Sequence, residues 1–452
     1  MSPEQKKTYW KGIDERENAE SFRQSLEKEF PEPPSFTQML ENAGMANTGL
    51  SRRSFLKVSG FTVAGTMLAS CARGPVEKAI PLLNKPENMT PGKAYWYAST
   101  CAGCSAGCGI LVKNRDGRPI KIEGNPEHPI SKGGICAVGQ AMVLGLYDSQ
   151  RLQQPLTNGN RSDWAEVDKA ITSQLQQLNN GVYFLTGTIT SPTTRAAIKR
   201  FLWKYANAAH IEYDAASCSA ILDAHEQTHG LRALPHYRFG KADIIVSFDA
   251  DFLGTWISPV EFTKDYTGNR LLNGEEVNLS NHIQFEGRMS ITGSNADQRI
   301  QVTPTECAVA LITIAEQLAQ KAGVSIPRWK DRTAQSGVDT KTTVKIVDKL
   351  WRARGKSLVV CGLNDVGLQR VTNFINNVLG NYAKTLDIRQ ASKQWNGNDR
   401  AVIDLVDKMK AGEVKALFIA GANPVYSLPN ANEFTAALEN VPLTVAFADH
   451  RD

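Results

Sequence analysis

Four of the eight cysteines fall within 36 residues, as "CAGCSAGC" at 101–108 and then Cys136 inside "GGICAVGQ". The spacing is C-x2-C-x3-C-x27-C. Three thiols on so short a loop demand tight backbone turns, and Gly103, Gly107 and Gly109 allow the chain to make them. Clustering of this kind favours a metal or cluster over disulfides. Thiolates suit both iron–sulfur clusters and zinc. Three neighbouring cysteines and a distant fourth can reach the corners of a cubane, whereas zinc sites more often show two paired C-x-x-C units. Cys101, Cys104, Cys108 and Cys136 are therefore expected to bind a [4Fe–4S] cluster, with zinc or metal-free thiols as the other readings.

The chain around this cluster is long and globular in composition. Its 452 residues exceed one ordinary domain, and 42% hydrophobic content supports a sizeable core. A net charge of +5 is small for this length and gives no reason to expect a nucleic-acid partner. No stretch of 18 apolar residues marks a membrane-spanning helix.

The first 94 residues read as an address and a tether. Residues 1–50 form a polar extension, in which "PEPP" at 31–34 stops a charged helical stretch. "SRRSFLK" and "VSGFTVAGTMLAS" then place adjacent Arg52 and Arg53 before a short apolar run. This resembles a twin-arginine export signal over 51–71; a buried helix after a basic turn is the bland reading. "LASC" closes the run and resembles a lipobox, which would make Cys71 an acylated first residue anchored in a bilayer. Residues 72–94 hold four prolines and read as a linker.

"ILVKNRDGRPIKIEGNPEHPISKGGIC" alternates, turns at "RDG" and alternates again, which predicts a hairpin. From 153 onward, apolar runs alternate with helix-like stretches. "VYFLTG" (182–187), "ADIIVSF" (242–248), "SLVVCG" (357–362), "ALFIAGANP" (416–424) and "LTVAFAD" (443–449) suit buried parallel strands. "ECAVALITIAEQLAQKAG" (306–323) suits a helix. The expected class is α/β: a small N-terminal hairpin domain followed by Rossmann-like parallel-sheet domains, with ligands at the carboxyl ends of the strands.

The cysteine loop, hairpin and "GGICAVG" return resemble the iron–sulfur domain of the molybdopterin oxidoreductase superfamily over 95–152. "YRFGKADIIVSFDADFLGTWISP" and "VKALFIAGANPVYSLPN" resemble later segments of the same superfamily within 153–452. The resemblance implies a [4Fe–4S] cluster and pterin-approaching loops. It also implies Lys or Arg two residues past the fourth cysteine, between cluster and pterin, where this chain has Val138. Valine carries no charge and donates no hydrogen bond, so molybdopterin guanine dinucleotide is not expected. "SCSA" puts Cys218 near the family's molybdenum-ligating position; a small buried cysteine is the other reading, and Cys307 and Cys361 look like core.

Two further motifs compete for attention. "HEQTH" (225–229) satisfies the zinc-protease pattern, but no third ligand motif follows. "GTITSPTT" (187–194) has the look of a phosphate-binding turn before a helix, without the glycine or lysine signature of one.

The signal, the lipobox, Val138 and "FEGRMSITGSNADQRIQVTP" (285–304) together resemble the large iron–sulfur subunit of bacterial alternative complex III. That resemblance implies an electron-transfer or scaffold subunit of a quinol-oxidising respiratory complex. It further implies quinol-binding membrane subunits and cytochrome c subunits as partners, and a lipid-anchored place on the periplasmic face of the inner membrane. The competing expectation is a catalytic molybdopterin reductase of the polysulfide or tetrathionate type, with Cys218 on the metal. The chain ends where the superfamily continues, so 153–452 reads as a truncated α/β region.

Overall fold

The apolar runs of the sequence become two four-stranded parallel sheets. In one, the order is Gln298–Gln301, Asn281–Glu286, Ile244–Phe248, Ser357–Cys361. In the other it is Leu443–Phe447, Ala416–Ala420, Val182–Thr186, Ala209–Glu212. Every pairing in both is parallel. Parallel strands need crossover helices, and helices then cover both faces, so the central strands must be apolar throughout. Ser357–Cys361 is buried at every position for this reason. The computed structural model describes residues 90–271, 279–326 and 337–451. Arg52, Arg53 and Cys71, with the extension, the export signal and most of the linker, lie outside the described residues.

The first sheet separates two cores. Val246, Phe248, Ile283, Phe285 and Val359 pack on one side against Leu311, Ile314 and Ile375 from helices. Ile245, Leu358 and Val360 face the other way, towards Phe239, Phe252 and Phe262. Each such side chain contributes about 1.5–3 kcal/mol when fully buried. The helix Pro304–Ala322 shows why its sequence starts and stops where it does. Thr303 and Glu306 form a reciprocal capping box, Pro304 opens the first turn, and Gly323 leaves it in the left-handed conformation at φ 65°.

The predicted hairpin is present as part of a three-stranded antiparallel sheet, Tyr95–Thr100, Gly109–Arg115 and Arg118–Gly124. Its turn is Asp116-Gly117, both with positive φ, which suits the right-handed twist of the flanking strands. The described residues all fall within one compact unit. Among the described residues, no helix is long and apolar enough to cross a membrane.

Asn281–Glu286 is the strand that the apolar-run criterion does not find. His282, Gln284 and Glu286 are almost fully buried on one face of it. They survive burial by pairing along the strand, His282 to Gln284 at 3.2 Å and Gln284 to Glu286 at 3.4 Å. Burial holds His282 down to about 4, and it does the same to His225 on the helix Ser219–His229. Between pH 6.5 and 4 the unfolded chain binds protons that the folded chain refuses, so stability is full above that window and falls within it. The loss should reach about 3 kcal/mol per histidine. Urea unfolding from pH 7 to pH 4.5 should show the decline, and H225Q should make it shallower.

Candidate functional site

The cysteine loop joins the first two strands of the antiparallel sheet, and the N–H of Cys101 donates to the carbonyl of Cys108 at 2.8 Å to close it. Gly107 takes φ 60° within it. At Gly109 a Cβ would stand 2.4 Å from His128 Cγ, so no side chain fits there. Cys136 sits at the cap of the helix Ala137–Gly145, where its sulfur accepts from the Gly139 N–H at 3.4 Å. Cys101 is buried, with its sulfur 3.3 Å from that of Met142 on the same helix.

Two of the four thiols, Cys104 and Cys108, feel the others. Burial first, then the neighbouring cysteines, push Cys108 up to about 11 and raise Cys104 as well. Among the described residues, no group of three or more His, Cys, Asp or Glu is set to hold a metal ion. A cubane is a larger body than one ion and holds its thiolates further apart. The loop also carries a buried Ser105 hydroxyl with no hydrogen-bond partner. Four neighbouring thiols, a sulfur accepting a backbone N–H and an orphaned hydroxyl fit a bound iron–sulfur cluster.

One wall of a cavity of about 710 Å3 is this same loop, from Cys101 to Gly107. The opposite walls are the loops that follow Val182–Thr186, Ala209–Glu212 and Ala416–Ala420. The cavity thus lies at the carboxyl ends of three parallel strands, the usual ligand position in such sheets. Among the described residues its lining contains no Lys, Arg or His, and Asp214 is the one charged side chain. A second cavity, of about 260 Å3, lies beyond Trp395, which lines both. Its charged lining residues are Asp249, Asp251, Glu286 and Arg288. Together the two present four carboxylates against one guanidinium. A cofactor carrying several phosphates needs cations and free N–H donors, so the residues present do not fit a pterin dinucleotide.

Cys218 borders the smaller cavity but is buried in the core with Ile221, Leu222 and Phe239. It stands at the start of a helix, where the dipole favours a thiolate. Burial and the charges of Asp214 and Asp399 outweigh that and push it up to about 12. Cys307 and Cys361 are buried core residues. Val138 lies in the first turn of its helix, is 66% exposed, and lines neither cavity. In "HEQTH", His225 spends its ring nitrogens on the Ile221 carbonyl at 2.8 Å and the Tyr382 hydroxyl at 3.2 Å, while His229 lies 4.5 Å from the Tyr382 ring. That pair is packing.

The residues that sequence reasoning missed are Gln394–Asn398. The buried Gln394 amide donates to the Ala106 carbonyl in the cysteine loop and to Ser258 Oγ, each at 3.1 Å. Trp395 Nε1 donates to the Ile257 carbonyl at 2.7 Å. Asn398 caps the helix Asp399–Lys410. A polar "QWNGN" between a strand and a helix carries a turn signal, but nothing in it announces a tie to residues nearly three hundred positions earlier.

Residues 94–148 match the family model described as "Molybdopterin oxidoreductase Fe4S4 domain". The chain is 24% identical over 449 residues to the "Menaquinone reductase, molybdopterin-binding-like subunit" of Nitratidesulfovibrio vulgaris, covering 89% of this chain and 63% of that protein. It is 21% identical over 417 residues to a nitrate reductase of Klebsiella oxytoca, covering 77% and 47%. A chain in the crystal structure of the formyltransferase/hydrolase complex from Methylorubrum extorquens with methylofuran overlaps 66% of this chain and 82% of its own length. Its identity of 14% and TM-score of 0.42 are too low to carry an argument. The match of residues 94–148 and these two relatives support the molybdopterin oxidoreductase superfamily. The chain spans about half to two thirds of the length of these curated relatives, 47% of one and 63% of the other.

Replacing Gln394 with Ala would leave the Ala106 carbonyl and Ser258 hydroxyl buried without this donor. The expected cost is about 1–3 kcal/mol. Hydrogen exchange of Q394A should speed up over 101–108 while the strand Ser357–Cys361 stays protected.

Proposed function

We propose that this chain is an iron–sulfur electron-transfer subunit of a membrane-associated, quinol-oxidising respiratory complex of the alternative complex III type, with no working molybdenum centre. Cys101, Cys104, Cys108 and Cys136 hold a [4Fe–4S] cluster, which supplies one-electron transfer when bound. The glycine turns keep the loop tight, Met142 covers Cys101 from water, and the Gly139 N–H stabilises negative charge on the Cys136 sulfur. The observation that carries the reading is the cysteine loop forming a wall of a large cavity whose lining, among the described residues, has no cation. A relative named as a molybdopterin-binding-like subunit of a menaquinone reductase supports it. The enzymatic reading, with Cys218 on molybdenum, has against it the burial of that thiol and the two carboxylates beside it.

Partners follow from the same proposal: quinol-binding membrane subunits and cytochrome c subunits. So does the location, with twin-arginine export through Arg52 and Arg53 and acylation at Cys71 fixing the chain to the periplasmic face of the inner membrane.

Metal analysis of the purified native complex should give iron at about four per chain from this site, read against a variant lacking Cys104 and Cys108, and no molybdenum or tungsten. Molybdenum near one per chain would promote the reductase reading. Mass spectrometry of the mature N-terminus should find an acylated Cys71. An unmodified terminus further along the chain would remove the anchor, and Arg52→Lys with Arg53→Lys should hold precursor in the cytoplasm.

A further inference from the structure

"GTITSPTT" has the form of a phosphate turn: it leaves the strand Val182–Thr186 and enters the helix Pro192–Leu202 at the edge of the large cavity. Such a turn binds anions because its N–H groups lack partners. Here the first two after Gly187 have them. The Thr188 N–H donates to Asp214 Oδ1 at 3.0 Å, and its hydroxyl donates to Asp214 Oδ2 at 2.6 Å. The Gly397 N–H donates to the same Oδ2 at 2.8 Å. One residue on, the Ile189 N–H donates to Glu212 Oε1 at 2.8 Å. Arg195, the cation nearest this turn in sequence, donates to that oxygen as well, at 2.6 Å. Asp214 and Glu212 are both buried.

We propose that Asp214 is a built-in substitute for a ligand anion: its carboxylate takes the donors at the strand ends and makes the large cavity reject phosphate-bearing molecules. Three features converge on this. The carboxylate receives three donors, two of them backbone N–H groups from different loops. Among the described residues it is the only charge in the cavity lining, and it is negative. The 394–398 segment reaches it only because residue 397 is glycine, since a Cβ there would stand 2.8 Å from Oδ2. A phosphate entering the cavity would meet both a repelling charge and donors already engaged. The space that remains suits an uncharged ligand.

This inference rests on the reading that no pterin dinucleotide fills the cavity, and the two fail separately. Molybdenum in the native complex would sink that reading whatever Asp214 does. The direct test is calorimetric titration of the molybdenum-free protein with inorganic pyrophosphate. Wild type should show no saturable binding at millimolar concentrations. D214A frees the three donors, and should bind pyrophosphate at least tenfold more tightly than wild type. Acetate should raise the melting temperature of D214A but not of wild type, and should compete with pyrophosphate. D214N keeps the shape and loses the charge, so it keeps the protein testable should D214A fail to fold. Its affinity should fall between those of wild type and D214A. Pyrophosphate binding by wild type as tight as by either variant overturns the proposal. So does the absence of binding in every variant that folds, with no response of D214A to acetate.

Discussion

The hydrogen bonds of one five-residue segment, Gln394–Asn398, hold the functional end of this molecule together. Gln394 fixes the cysteine loop to Ser258, and Trp395 divides two cavities. The Asn396 N–H donates to Thr188 Oγ1 at 2.8 Å, and Gly397 reaches Asp214. Asn398 then starts a helix that packs Val402, Leu405 and Met409 against the second sheet. Backbone donors and acceptors buried at strand ends must find partners, and here a single strap supplies them for loops from three parts of the chain. The cluster loop, the sheet ends and the cavity walls are therefore positioned jointly.

The sequence was most legible where burial is two-sided. "SLVVCG", "ALFIAGANP" and "VYFLTG" hold continuous apolar runs because helices cover both faces of their sheets; the first and third are strands to within a residue of their expected limits, while the second ends at Ala420, four residues early. The hairpin was legible for a different reason, since Asp-Gly imposes its own turn. "NHIQFE" was not legible, because its buried face is polar and pays for burial through contacts with Tyr266 and Arg299 that lie elsewhere in the chain. Periodicity detects what hides from water; it does not detect polar groups that hide together.

The grouping of the cysteines was legible and the electrostatics beside them were not. Cysteine spacing is informative because thiolate chemistry is local to one loop and one return. The character of the adjoining cavity depends on Asp214, Thr188 and Gly397, which are far apart in sequence and ordinary in type. Val138 drew notice from its distance to Cys136, yet it faces solvent. The residue that bears on the cavity's charge is Asp214, which no motif marks.

The contact between Gly397 and Asp214 also constrains how this chain can drift. Any side chain at 397 would overlap an oxygen of the carboxylate at 214. A lineage that keeps aspartate at 214 is thus held to glycine at 397, and shortening 214 alone would not free the position, because a Cβ there would still stand 3.0 Å from the Asp214 backbone nitrogen.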